Sequence, residues 1–108
     1  LLKIYMQRYH REPGFRYKTL CIISISFLTQ GTDIASLNLK AGDEIITQAF
    51  TFVATVEAII EAKCKPVCIN IDNSLNLDPK ELEKKITKKT KAVIVVHMLG
   101  VPAEMDKI

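Results

Sequence analysis

The sequence predicts an α/β fold, a mostly parallel sheet whose strands are joined by crossover helices. From residue 20 onward, short β-branched apolar runs alternate with helix-like stretches, and the last run is continuously apolar, as strands covered on both faces are. Strand, helix, strand, helix, strand in that order is the pattern of right-handed β-α-β units.

Each element has its own local signal. "CIISISF", residues 21–27, is β-branched and reads as a buried strand. A short helix is expected over about 33–39, closed by Ala41-Gly42, and "DEIITQ" (43–48) follows as the second strand. "VATVEAIIEA" (53–62) is helical by its alanine content. Its Val53, Val56, Ile59 and Ile60 give an almost all-round apolar surface, so the helix is expected to be buried. "KPVCINI" (65–71) is the third strand, with Pro66 at the start, where a missing donor does least harm. Asp78-Pro79-Lys80-Glu81 is the clearest signal in the chain: Asp78 caps the first free amides, Pro79 fits the first helical position and Glu81 completes a capping box. That helix is expected to run to about Ile86, with Leu82 and Ile86 on its inner face. "KAVIVVHML" (91–99) is the fourth strand. Gly100-Val101-Pro102 then breaks the chain, and "AEMDKI" begins a further helix. Residues 1–19, rich in Arg and Tyr and weakly periodic, are expected as helix or loop.

Composition narrows the function classes. With 108 residues, 48% of them hydrophobic and 25% charged, the chain suffices for one globular domain with a core of limited size. The net charge of +3 is mild. Its densest basic run, Lys84, Lys85, Lys88, Lys89 and Lys91, is interleaved with Glu81 and Glu83 and reads as a solvated helix face, so no nucleic-acid partner is expected. Cys21, Cys64 and Cys68 are too few and too irregularly spaced for a disulfide framework or a zinc knuckle; they read as reduced, buried thiols of a cytoplasmic protein. His10 and His97 lie too far apart to imply a metal site. "LCIISISFL" (20–28) follows several basic residues and imitates a signal peptide, but no small-x-small cleavage site follows, and the run is too short to span a membrane. No membrane partner is expected.

In open parallel sheets, ligands bind outside the carboxyl ends of the strands. Three such ends carry candidate chemistry: Gly31-Thr32-Asp33, Thr47 to Phe52, and His97 to Pro102. Gly31 would let a ligand approach the backbone and Thr32 offers a hydroxyl beside free helix-start amides, an arrangement able to cradle a phosphate. Alone, Gly-Thr before a helix is more often a turn and a cap. Phe52 could stack on a flat ring that nearby threonines hydrogen-bond, although a single aromatic at a helix start is more often core. His97 ends an apolar strand, where a satisfied core histidine is the commoner role.

Taken together, "GTD", "LKAGDEIITQAFTFVATVEAI", "KPVCINID" and "NLDPKELEKKITKKTKAVIVVHMLGVPAEMDKI" resemble the DegT/DnrJ/StrS family of sugar aminotransferases, over about residues 31–108 and in the family's order. The resemblance implies part of the large domain of a fold-type I, pyridoxal-phosphate-dependent transferase, preceded by a poorly matched segment, 1–30, that ends in a strand. It implies that Gly31 and Thr32 hold the phosphate of pyridoxal 5'-phosphate, that Phe52 stacks on its pyridine ring, and that the loop from His97 to Gly100 closes one side of the pocket. It also implies amino transfer from glutamate or glutamine to a keto-sugar nucleotide, in an enzyme whose active sites are completed across a homodimer.

The sequence departs from the family in ways that matter for function. Family members are several times longer, and both the carboxylate that pairs with the pyridine nitrogen and the Schiff-base lysine belong to their later segments. The chain, which does not begin with Met, is therefore expected to be an N-terminal fragment and inactive when isolated. Gln30 stands in place of the usual Ser, the stretch between Thr32 and Gly42 is about a helical turn shorter than usual, and Leu99 occupies a position where an aromatic is common. The alternative is a non-enzymatic α/β binding or interaction module that retains the scaffold without the chemistry.

Overall fold

The computed structural model describes residues 21–25 (as backbone), 34 and 37–108. Four strands, Cys21–Ile25 (β1), Glu44–Gln48 (β2), Lys65–Ile69 (β3) and Thr90–Val96 (β4), form one sheet in the order β1-β4-β2-β3. Every pairing is parallel, with Ile25 opposite Val96, and Ile46 opposite both Val93 and Val67. Two helices, Val53–Glu61 (α1) and Pro79–Lys85 (α2), connect β2 to β3 and β3 to β4. The sequence-predicted α/β class is the observed one.

The period of two along each strand divides the core into two layers. On one face Ile45, Ala92 and Ile94 pack with Ala58, Ile59 and Cys64 of the α1 region and with Ile34. On the other, Ile46, Val93, Val95 and Ile69 pack with Leu77, Leu82 of α2 and Ala103. Burying each of these isoleucines contributes roughly 1.5–3 kcal/mol relative to exposure. The connection carrying α1 moves outward from β2 to β3; the one carrying α2 moves back across β2 to β4. With the helices on opposite faces, the two crossovers share one hand, as the right-handed rule requires.

Local chemistry sets the helix ends. The Asp78 carboxylate accepts the Lys80 amide at 2.9 Å and Pro79 occupies the first turn. Glu81 does not complete the expected capping box: the Asp78 N–H already donates to Asn70 O at 3.2 Å, and Glu81 instead pairs with Lys84 at 2.8 Å. Helix α1 closes with Cys64 N–H donating to Ile59 O and Lys63 N–H to Ile60 O, the pair of bonds that defines a Schellman motif, with Lys63 left-handed at φ +59°.

Several expectations are corrected. Helix α1 is not buried all round: Thr55, Ala58 and Ile59 are buried while Val53 and Ile60 are 58% and 57% exposed, because the helix lies against one sheet face only. Cys64 is buried as expected, but Cys68 is exposed, since among the described residues β3 is the edge strand, with β2 as its neighbour. Strand β3 stops at Ile69, and Ile71 instead forms an isolated antiparallel bridge with Leu77. "AEMDKI" makes turns, with one helical-type bond from Ile108 N–H to Glu104 O. Of the helix expected over 33–39, Ile34 is helical and 99% buried, whereas 37–39 form a turn and irregular chain; 33, 35, 36 and residues 1–19 lie outside the described residues. The lysines at 84, 85, 88, 89 and 91 are all exposed as expected, but only Lys84 and Lys85 are on the helix; Lys88 and Lys89 lie in the following turn and Lys91 in β4. No helix among the described residues is long and apolar enough to cross a membrane.

Candidate active site

Strands β2 and β4 are neighbours, but the chain leaves their carboxyl ends in opposite directions. After Gln48 it passes through Phe50 and Phe52 into α1 on one face; after Val96 it passes through His97 to Ala103, which is buried on the other. A divergence of this kind is where open α/β folds form their ligand crevice. All the exposed large apolar side chains among the described residues except Ile60 lie in segments leaving this edge: Phe50, Phe52, Val53, Leu75, Leu99 and Val101. Apolar side chains gathered at one edge mark a surface that meets a ligand or a partner.

Phe52 stands on the α1 lip. It is the N-cap residue, held extended at φ −67° and ψ 139°, and its carbonyl accepts the Thr55 N–H at 3.0 Å. Its ring is not core: the residue is 67% exposed. The threonines do not face a ligand with it as expected. Thr47, fully buried, donates to Ile94 O at 3.2 Å, and Thr51 shares a 3.1 Å hydroxyl contact with the fully buried Thr55. Those hydroxyls tie β2 to β4 and close the first turn of α1.

His97 stands on the opposite lip, one residue beyond β4. Its Nδ1 accepts the Ala103 N–H at 3.0 Å, which leaves the ring proton on Nε2 of a neutral imidazole. Burial holds its pKa below the ordinary histidine value, in the same direction. From His97 the chain makes one 3-10 turn, Met98–Gly100, with Leu99 at φ +52° and Gly100 at φ +80°. A Cβ on Gly100 would meet nothing within 4 Å, so glycine serves the backbone conformation here and not a close approach. Leu99 is 84% exposed. Gly31 and Thr32 lie outside the described residues.

Two buried carboxamides that sequence reasoning missed join these lips. Gln48 accepts the Val96 N–H through Oε1 at 3.2 Å and donates through Nε2 to Phe50 O and Leu75 O, at 3.0 and 3.3 Å. Asn76 accepts the Met98 N–H at 2.8 Å and donates to Val101 O and Ser74 Oγ, both at 3.1 Å. Both residues are fully buried. The β3 exit loop thus reaches across the end of β2 to the turn after β4. Asp72 organises that loop: Ser74 donates to its carboxylate through both N–H and Oγ, which holds its pKa below the usual carboxylate range. No local pattern in the sequence announces either residue.

The chain matches the model of the DegT/DnrJ/EryC1/StrS aminotransferase family over residues 18–108, beginning upstream of Gly31. It is 43% identical over 89 residues to an uncharacterized protein of Methanocaldococcus jannaschii, covering 80% of this chain and 23% of that one. Among solved structures it resembles PseC of Helicobacter pylori, an aminotransferase involved in the biosynthesis of pseudoaminic acid, at 32% identity and a TM-score of 0.63, over 73% of this chain and 24% of that one. It also resembles NtdA of Bacillus subtilis, solved with bound cofactor PMP, at 33% identity and a TM-score of 0.67, over 69% and 18% of the two chains. The chain spans less than a quarter of the length of these relatives. It belongs to the DegT/DnrJ/EryC1/StrS family of pyridoxal-phosphate-dependent sugar aminotransferases.

Proposed function

We propose that residues 31–108 form one wall of the cofactor pocket of a sugar aminotransferase, which moves an amino group from glutamate or glutamine to a keto-sugar nucleotide. The observation that carries this reading is the divergence at β2 and β4, with an exposed aromatic on one lip and a neutral imidazole on the other. These residues fit pyridoxal phosphate: Phe52 offers an uncommitted ring face, and the edge around it is apolar enough to exclude water from a bound heteroaromatic. Gly31 and Thr32 would hold the phosphate, Phe52 would support the ring, and His97 to Gly100 would close one side. Bound there, pyridoxal phosphate supplies the electron sink for amino transfer.

On this reading the Schiff-base lysine would belong to a segment other than these 108 residues, and we expect them alone to lack transaminase activity. The working enzyme would be a homodimer in the cytoplasm. Titration with pyridoxal phosphate, followed by its absorbance and by protein fluorescence, tests the pocket. Saturable binding that weakens about tenfold in Phe52→Ala, as expected for about 1.4 kcal/mol of lost stacking, supports it. Binding unaffected by Phe52→Ala, or no binding, rejects Phe52 as the platform.

A further inference from the structure

Asn76 sits in the loop between β3 and α2 and has no part in the pocket proposed above, yet it is fully buried and both polar atoms of its side chain are engaged. The orientation of its carboxamide is fixed by its partners. The Met98 N–H can only donate and the Val101 carbonyl can only accept, so Oδ1 must face Met98 and Nδ2 must face Val101. These two bonds bracket Met98–Gly100, a turn that holds two consecutive positive-φ residues and makes two backbone bonds of its own, Gly100 N–H to His97 O at 3.3 Å and Val101 N–H to Met98 O at 2.9 Å. A leucine in left-handed conformation costs roughly 1–2 kcal/mol and persists only where its surroundings impose it.

We propose that Asn76 is a positioning residue, clamping the turn after β4 from both ends and so setting where His97 stands on the lip of the crevice. Gln48 holds the same loop from the other side through Leu75 O. The inference deepens the pocket reading and rests on it only for the consequence at the cofactor; the clamp itself is independent of what binds.

Hydrogen exchange on the unaltered protein tests the clamp without any variant. The Met98 amide should exchange as slowly as the β4 amides, although it lies in a surface turn; exchange as fast as the exposed Lys107 amide overturns the proposal. In Asn76→Leu, the Met98 and Val101 amide resonances and the His97 ring nitrogens should all shift, and affinity for pyridoxal phosphate should fall about tenfold. Asn76→Asp, which keeps an acceptor for Met98 but offers Val101 no donor, should restore Met98 protection and leave Val101 shifted. Unchanged His97 and Met98 signals in a folded Asn76→Leu protein refute the clamp. A protein with protected Met98 that binds no pyridoxal phosphate refutes the pocket reading and leaves the clamp standing.

Discussion

The side chain of Gln48 accepts the backbone N–H of Val96 at 3.2 Å, so the last rung between β2 and β4 at the carboxyl edge is made by a carboxamide and not by the main chain. The other end of the same group holds Phe50 O and Leu75 O, so one buried residue joins three segments that border the crevice. Gln48→Leu keeps the bulk but strands these partners. Phe50 and Leu75 are exposed enough for water to recover their carbonyls, leaving the half-buried Val96 N–H as the main loss. The expected cost is about 2 kcal/mol in urea unfolding at neutral pH. Gln48→Glu should cost more, because a carboxylate cannot donate to the two carbonyls and would be buried facing them. A loss below about 0.5 kcal/mol for both variants would show that the contact is incidental.

The strands and helices were legible because their signals are local. Apolar runs, the Asp78-Pro79 helix start and the Pro66 strand start each act within a few residues, and the structure has all three. Phe52 and His97 were legible as strand-end residues once the sheet was expected to be parallel. Gln48 and Asn76 were not, since the partners by which they join separate segments lie 22 to 48 residues away and no pattern within the segment announces them. The failed capping box has the same origin: a distant carbonyl, Asn70 O, competes for the Asp78 amide that Glu81 was expected to take. The all-round apolar look of α1 misled for another reason. Its Val53 and Ile60 are seven residues apart on the side turned away from the sheet, so both are exposed despite being apolar.

At the opposite, amino edge of the sheet, Glu44 gives a prediction in acid. Its side chain is 10% exposed and accepts a hydrogen bond from Thr87 Oγ1 at 2.7 Å and another from Lys65 at 3.4 Å. The Thr87 bond, with help from Lys65 and Lys89, outweighs burial and holds its pKa below the ordinary 4.5. A carboxyl group lowered in the native state contributes stability that is present above its unfolded value and lost as the pH falls through the folded one. Unfolding midpoints should therefore decline below about pH 4.5. Thr87→Val removes the leading cause, so its native Glu44 should titrate closer to the unfolded value, with a shallower acid limb. An identical limb in the variant would reject the role given to Thr87.

His97 gives a second limb at higher pH. Burial lowers its pKa from 6.5, and the Ala103 N–H occupies the nitrogen that protonation would need. The unfolded chain therefore binds this proton more readily than the native one, and the native state loses stability as the pH drops below about 6.5 until the folded value is passed. His97→Gln should flatten this limb and leave the Glu44 limb in place. Ring-nitrogen shifts in the parent protein should report neutral imidazole at pH 6.5 and below it; a native pKa at or above 6.5 would contradict the geometry.

Two backbone positions test the same conformation with opposite expected signs. Lys63 and Gly100 both have positive φ, +59° and +80°, one with a side chain and one without. At Lys63, glycine would relieve roughly 1–2 kcal/mol of left-handed strain, while its greater freedom in the unfolded chain costs roughly 0.5–1 kcal/mol. The lysine is exposed and no ion pair among the described residues uses it, so little else is lost. Lys63→Gly should therefore stabilise by about 0.5–1 kcal/mol while keeping the Cys64 N–H to Ile59 O bond of the Schellman motif. At Gly100 the arithmetic reverses. Alanine meets no atom within 4 Å, so any cost comes from the backbone alone and should be about 1 kcal/mol. Because Gly100 belongs to the turn clamped by Asn76, Gly100→Ala should also weaken Met98 protection, whereas Lys63→Gly, remote at the end of α1, should leave it unchanged. If Gly100→Ala were neutral in both stability and exchange, the turn would not be held in the left-handed conformation in solution, and the placement of His97 by this turn would fall with it.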